Sequence, residues 1–275
     1  MAVGAGVLIL ANHATELDWL SLHAHSGAIE SLKVVVGPHF ERVPLLGPLL
    51  AFWDFPVARK GQPLLTAQQL VEAKGMAYSG GGFSLLVFPE GDFVKATTRE
   101  KSAAFAKAQD VPDYRHLILP RTTGLAQLLP SIRLFMEDAA LLDLTLLYPQ
   151  ASPSSSSPPT EYPHERFSIH RTLVQGKGPR EVTVHVRDVW MGEVLDFSRE
   201  TDDGVRRHFD EWLRRKWAQK YERLERFYRN GGRLLPEEGE AEQVLHLRPR
   251  FSDLACLSAL CSVPLLPLAV LYAAL

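Results

Sequence analysis

The strongest constraint on this chain is its rhythm of short apolar runs, each closed by a polar or proline-containing turn. Val7-Leu8-Ile9-Leu10, Leu32-Lys33-Val34-Val35-Val36 and Phe83-Ser84-Leu85-Leu86-Val87-Phe88 are such runs, and Leu117-Ile118-Leu119 and the stretch 141–148 extend the series. Each is too short for a globular helix and has the length and residue types of a buried strand. Between them, 64–76, 98–108 and 125–134 carry helical spacing, the last interrupted near Pro130. The segment 55–59 reads as a short extended piece. The stretch 181–189 alternates Val182, Val184 and Val186 with Thr183, His185 and Arg187, as a half-exposed edge strand would. Strands alternating with helices predict an α/β fold, a mixed sheet flanked by helices.

With 275 residues, 46% of them hydrophobic, the chain can bury one large core. A formal net charge of −2 offers no global electrostatic case for nucleic acid. The only two cysteines, Cys256 and Cys261, exclude a disulfide framework and a four-cysteine zinc site, and suit a reducing environment. His23 and His25 lack further ligands at metal-site spacing, so no metal is expected. Neither the run 77–81 nor the glycines 80–82 completes a hydrolase elbow or a phosphate loop. No secretory signal pattern follows Met1.

The expected organisation is a domain over 1–200 with a Ser/Pro-rich loop at 151–163, a helix over 201–230, a linker over 231–253 and a hydrophobic segment over 254–275. Phe209, Trp212, Leu213, Trp217, Leu224 and Phe227 recur at helical spacing among many arginines and lysines. Such a helix either packs on the domain with a solvated charged face or lies on an anionic membrane surface. The segment 254–275 carries no charge, is about long enough to cross the hydrocarbon core, and is expected to enter the membrane. Pro264 and Pro267 would kink it or make it re-entrant.

The first run leads directly into Ala11-Asn12-His13-Ala14-Thr15-Glu16-Leu17-Asp18. The end of a strand at the start of a helix is where α/β folds place chemistry. Imidazole is the natural general base near neutral pH, and a carboxylate on its second nitrogen fixes the tautomer. Five residues along a straight helix are about 140° apart, so the two cannot share a face. They meet only if His13 lies in the turn and Asp18 reaches back from a helix capped by Thr15. In isolation, such a pair is more often a satisfied surface contact.

Asn12-His13, four residues and Asp18 resemble the NHxxxxD motif of the glycerolipid and lysophospholipid acyltransferases. Three later blocks fall in that family's order: 45–59 ending in Arg59, Phe88-Pro89-Glu90-Gly91, and Leu119-Pro120. Pro120-Arg121-Thr122-Thr123-Gly124, the run Asp143 to Pro149 and the Trp/Arg-rich 212–228 resemble the lysocardiolipin acyltransferase branch, with its 1-acylglycerol-3-phosphate acyltransferase relatives. The resemblance implies acyl-CoA as co-substrate, no cofactor, and a lysophospholipid hydroxyl as acceptor at a membrane of the endoplasmic reticulum or mitochondrion. It implies His13 as base, Asp18 as its orienter, and Arg59 as the residue meeting acceptor phosphate. Phe88, Pro89, Glu90, Gly91, Pro120 and Arg121 would shape the acceptor site. Gly91 is followed by Asp92-Phe93, where the wider family has Thr-Arg, which makes phosphomonoester acceptors such as lysophosphatidic acid the second expectation. A non-catalytic protein binding anionic membranes is the alternative of another class.

Overall fold

The structure is a computed structural model. It describes residues 6–19, 22, 32–42, 47, 55–59, 83–122, 140–149, 162–168, 170–190, 194, 202–234 and 243–247. These build a six-stranded sheet in the order β2-β3-β1-β4-β5-β6. The strands are β1 (Gly6–Ala11), β2 (Leu32–Val34), β3 (Phe83–Val87), β4 (Ala140–Leu147), β5 (Val182–Val189) and β6 (Gln243–Leu247). β2, β3, β1 and β4 run parallel, with Leu8 opposite Leu85 on one side and Leu141 on the other. β5 is antiparallel to β4, and β6 to β5. The described helices include α1 (Ala96–Gln109), the single turn α2 (Pro163–Arg166) and the long α3 (Asp202–Arg229).

The apolar runs are continuous because both faces of the sheet are covered, as parallel strands require. On one face, Leu8, Leu10, Leu85, Leu141 and Val189 meet Ala106 of α1 and Phe209, Trp212, Leu213, Trp217, Leu224 and Phe227 of α3. On the other, Ala11, Leu86, Leu144, Leu146, Val182 and Val184 meet Ala14, Phe55, Tyr148 and Phe167.

Several expectations change here. β5 is no edge strand: β6 pairs along it, and Thr183 and His185 are as buried as the valines they alternate with. β6 lies within the expected linker 231–253, so that stretch contributes a strand to the sheet, and the domain does not stop at residue 200. Residues 117–119 are buried but form no strand. Their backbone is satisfied by α1 instead: Ser102 Oγ accepts from Leu119 N at 3.0 Å, and Arg99 Nη1 donates to Leu117 O at 3.4 Å. Of α3's basic residues, Lys216, Lys220 and Arg223 are buried with its aromatic stripe, while Arg206, Arg207, Arg215, Arg226 and Arg229 are exposed.

The helical stretches expected at 64–76 and 125–134, His23 and His25, and the hydrophobic segment 254–275 lie outside the described residues. No helix among the described residues is long and apolar enough to cross a membrane.

Candidate active site

β1 sits where the connections diverge: β2 and β3 lie on one side of it and β4 on the other. Ligand sites of open α/β sheets form at the carboxyl ends of strands at such a switch point. The ends of β1, β3 and β4 carry His13, Glu90 and Tyr148 respectively.

Asn12 extends the β1–β4 ladder with its side chain. Its Nδ2 donates to Leu146 O at 3.2 Å, and its Oδ1 accepts from Leu146 N at 2.8 Å. An amide supplies both halves of a ladder rung, which frees the main chain to turn at His13. Thr15 then caps the next turn, its Oγ1 accepting from Leu17 N at 3.1 Å. Asp18 returns the bond: its Oδ2 accepts from Thr15 N at 3.0 Å and Ala14 N at 2.6 Å. This reciprocal capping box brings the carboxylate back over the turn that carries His13.

The same Oδ2 lies 3.0 Å from His13 Nδ1. Asp18 Oδ1 accepts from Thr15 Oγ1 at 3.0 Å and from the Tyr148 hydroxyl at 2.5 Å. Asp18 is fully buried and held by five donors among the described residues. With Nδ1 committed to Asp18, Nε2 is the nitrogen left to meet a substrate, on a side chain 17% exposed. The imidazole is clamped by Phe88, stacked at 4.1 Å, and by the edge of Phe93 at 5.4 Å.

Phe88-Pro89-Glu90-Gly91 lies against this turn. Glu90 Oε1 receives a long bond, 3.4 Å, from His13 N, while Oε2 is buried without a hydrogen-bond partner among the described atoms. Burial pushes the Glu90 carboxyl well above the usual carboxylate range. The Asp18 charge adds to that shift, and the His13 and Ile118 backbone and Lys220 oppose it. Gly91 closes the turn with φ 70°, a left-handed conformation where a side chain would be strained. The Arg121 side chain runs beside it, 3.4 Å from where a Cβ would stand, and Arg121 N donates to Pro89 O at 2.7 Å. Pro120, buried, fixes the chain just before it.

The structure thus brings together His13, Asp18, Phe88, Pro89, Glu90, Gly91 and Arg121. Arg59 stands elsewhere. It follows Val57, which bridges Val36 beyond β2, and its guanidinium is paired with the exposed carboxylate of Glu41. No described contact joins it to the His13 cluster. Sequence reasoning did not single out Tyr148, Phe93 as a wall of the imidazole, or His164, which stacks on Phe93 at 4.0 Å. The signal for Tyr148 was its position at the end of a strand parallel to β1.

The Acyltransferase family model matches residues 2–135, a span that holds the His13 turn, the Phe88–Gly91 block and Arg121. Over those residues the chain is similar to the acyltransferase family. Over 86% of its length it is 26% identical to lysocardiolipin acyltransferase 1 of Gallus gallus, covering 58% of that protein. It is 30% identical, over 54% of its length and 34% of the other, to 2-acyl-1-lysophosphatidylinositol acyltransferase of Saccharomyces cerevisiae. A probable 1-acyl-sn-glycerol-3-phosphate acyltransferase 5 of Arabidopsis thaliana is 26% identical over 86% of the chain and 57% of its own length. The chain therefore spans between a third and three-fifths of these relatives.

Proposed function

We propose that this protein transfers a fatty acyl group from acyl-CoA to the free hydroxyl of a lysophospholipid. The observation that carries the reading is the His13–Asp18 pair at the switch point, with Nε2 left to face an acceptor. In the reaction, His13 Nε2 takes the proton of the acceptor hydroxyl as its oxygen attacks the thioester carbonyl. Asp18 holds the tautomer and stabilises the imidazolium that forms. Collapse of the tetrahedral intermediate breaks the C–S bond, and the imidazolium returns its proton to the departing CoA sulfur. The acceptor oxygen is itself the nucleophile, so the scheme needs no acyl-enzyme.

The exposure of Arg121 beside Gly91 supports its guanidinium as the group that meets the acceptor phosphate. Lys95, close by in sequence, is already paired with Asp92 at 3.2 Å, and Phe93 walls the imidazole. One available cation among the described residues and an aromatic wall suit a singly charged phosphodiester better than a doubly charged phosphomonoester. This supports a lysocardiolipin- or lysophosphatidylinositol-type acceptor over lysophosphatidic acid, the second reading. A purely membrane-binding role is less well supported, because α3 spends its aromatic face and three of its cations inside the core. Attachment to an endoplasmic reticulum or mitochondrial membrane through 254–275 is part of the proposal. Deleting that segment should move the protein toward the soluble fraction.

The test is CoA release from acyl-CoA by the purified protein, with lysophosphatidic acid, lysophosphatidylinositol and lysocardiolipin as acceptors. Release with the phosphodiester acceptors, lost in His13→Ala, is expected. No release with any lysolipid, or release unchanged in His13→Ala, refutes the enzymatic reading.

A further inference from the structure

Tyr148 closes β4, two residues beyond Leu146, whose backbone is held by Asn12. That rung fixes how the end of β4 lies against the His13 turn. The Tyr148 ring is buried beside Phe167, 5.8 Å between centroids, and its hydroxyl reaches across the switch point to Asp18 Oδ1. Thr15 Oγ1 lies 3.3 Å from the same hydroxyl. Among the described contacts, every other donor to Asp18 comes from residues 13–15, and Tyr148 alone comes from the end of a different strand. We propose that Tyr148 is a positioning residue for the acyl-transfer reaction, which pins Asp18 from β4 and sets how much negative charge that carboxylate presents to His13.

The inference rests on reading His13 as the base. A donor on Oδ1 drains charge from the carboxylate and so weakens its hold on an imidazolium bound to Oδ2. It also stops the carboxylate rotating away from Nδ1. The phenol is suited to remain a donor: burial and the adjacent Asp18 charge raise its ionisation well above the usual tyrosine range. Among the described residues, the other ionisable groups facing this assembly are Glu90 of the β3 turn, which is coupled to Asp18, and Tyr228 of α3, which acts on Tyr148. Lys220 of α3 acts on Glu90, and His164 of α2 stands behind Phe93. None of these supplies a hydrogen bond to Asp18 among the described contacts.

The experiment uses the full chain with Tyr148→Phe and, separately, with Tyr148 replaced by 3-fluorotyrosine, whose hydroxyl is a stronger donor. Two readouts are taken: the pH dependence of CoA release, and the titration of the His13 ring by NMR in the substrate-free protein. In Tyr148→Phe, both KM values should be unchanged. The acid limb of kcat/KM and the His13 titration should both move up by about half a pH unit, as Asp18 regains charge. With fluorotyrosine both should move down. A packing role alone predicts no opposite shifts, so a His13 titration that is unmoved, or moves the same way in both proteins, overturns the proposal. If Tyr148→Phe does not fold, the fluorotyrosine protein, altered by one atom, decides alone. Absence of CoA release from the unaltered protein with any lysolipid would instead refute acyl transfer, and the NMR titration would still decide the role of Tyr148.

Discussion

Asp18→Asn isolates charge from shape at the centre of the site. Oδ2 accepts from three donors that cannot reverse: Ala14 N, Thr15 N and, with His13 in its catalytic tautomer, His13 Nδ1. Among the described residues Oδ1 meets only the hydroxyls of Thr15 and Tyr148, and a hydroxyl can turn and accept. An asparagine therefore fits with its carbonyl on the Oδ2 side and its amide on the Oδ1 side. The tautomer and the fold survive, and what is lost is the negative charge next to His13. Two unit charges about 4 Å apart interact by about 4 kcal/mol at an effective dielectric near 20. If the imidazolium is half formed in the transition state, about 2 kcal/mol is lost, or roughly 30-fold in kcat; if fully formed, roughly 1,000-fold. The acid limb of the pH profile should move down, opposite to Tyr148→Phe. Replacing charge-assisted bonds by neutral ones weakens each, but the variant also escapes the cost of burying an anion, so about 1–2 kcal/mol of stability and a few degrees in Tm should go. CoA release against pH and a thermal melt read both effects. A kcat within about threefold of the original protein would refute the charge role of Asp18 as worked from these energies. Failure to fold would refute the exchange of hydroxyl donors.

The core beneath α3 offers a second cycle. Lys220→Met leaves Asp143, 2.5 Å from Lys220 Nζ, as an unpaired buried charge and should cost about 3–5 kcal/mol, whereas Lys220→Met with Asp143→Leu should recover most of it. Denaturant unfolding measures this, and additive losses would show that the pair is not coupled. Glu90 keeps its proton in the fold to well above its ordinary 4.5, so the original protein loses stability as pH rises past that value, while Glu90→Gln does not. The Tm difference between them should therefore move in favour of glutamine from pH 5 to pH 8, and a constant difference would refute the buried neutral carboxyl. His116 is lowered by burial from 6.5 to about 4 despite Glu225 at 3.3 Å, so stability should fall as pH drops from 6.5 toward 4. His116→Phe should flatten that fall in a Tm series, and an unchanged slope would count against it.

The strands of the parallel half were legible because both faces of that sheet are covered, so each strand appears as an unbroken apolar run. Leu117-Ile118-Leu119 looks the same and is not a strand; three apolar residues show burial without showing which backbone partner they find. β5 was read as half-exposed because Thr183 and His185 alternate with valines, but a distant segment, 243–247, covers its edge. In α3, Lys216 and Lys220 fall on the aromatic stripe. They read as part of a basic face, because whether a lysine on such a stripe meets water or a buried aspartate depends on Asp143, 77 positions from Lys220.

From the order of residues alone came the α/β class, the place of chemistry at the end of the first strand, and the demand that Asp18 reach back to His13. Those follow from local rules: apolar period, capping residues and the reach of a helical turn. Only the tertiary structure decided that Tyr148 and Glu90 close on that pair, that Arg121 stands beside the turn while Arg59 is held by Glu41, and that α3 keeps its aromatic face inward. Each of those depends on which strand ends lie side by side, and strand order is set by packing over the whole sheet, beyond the reach of any local pattern.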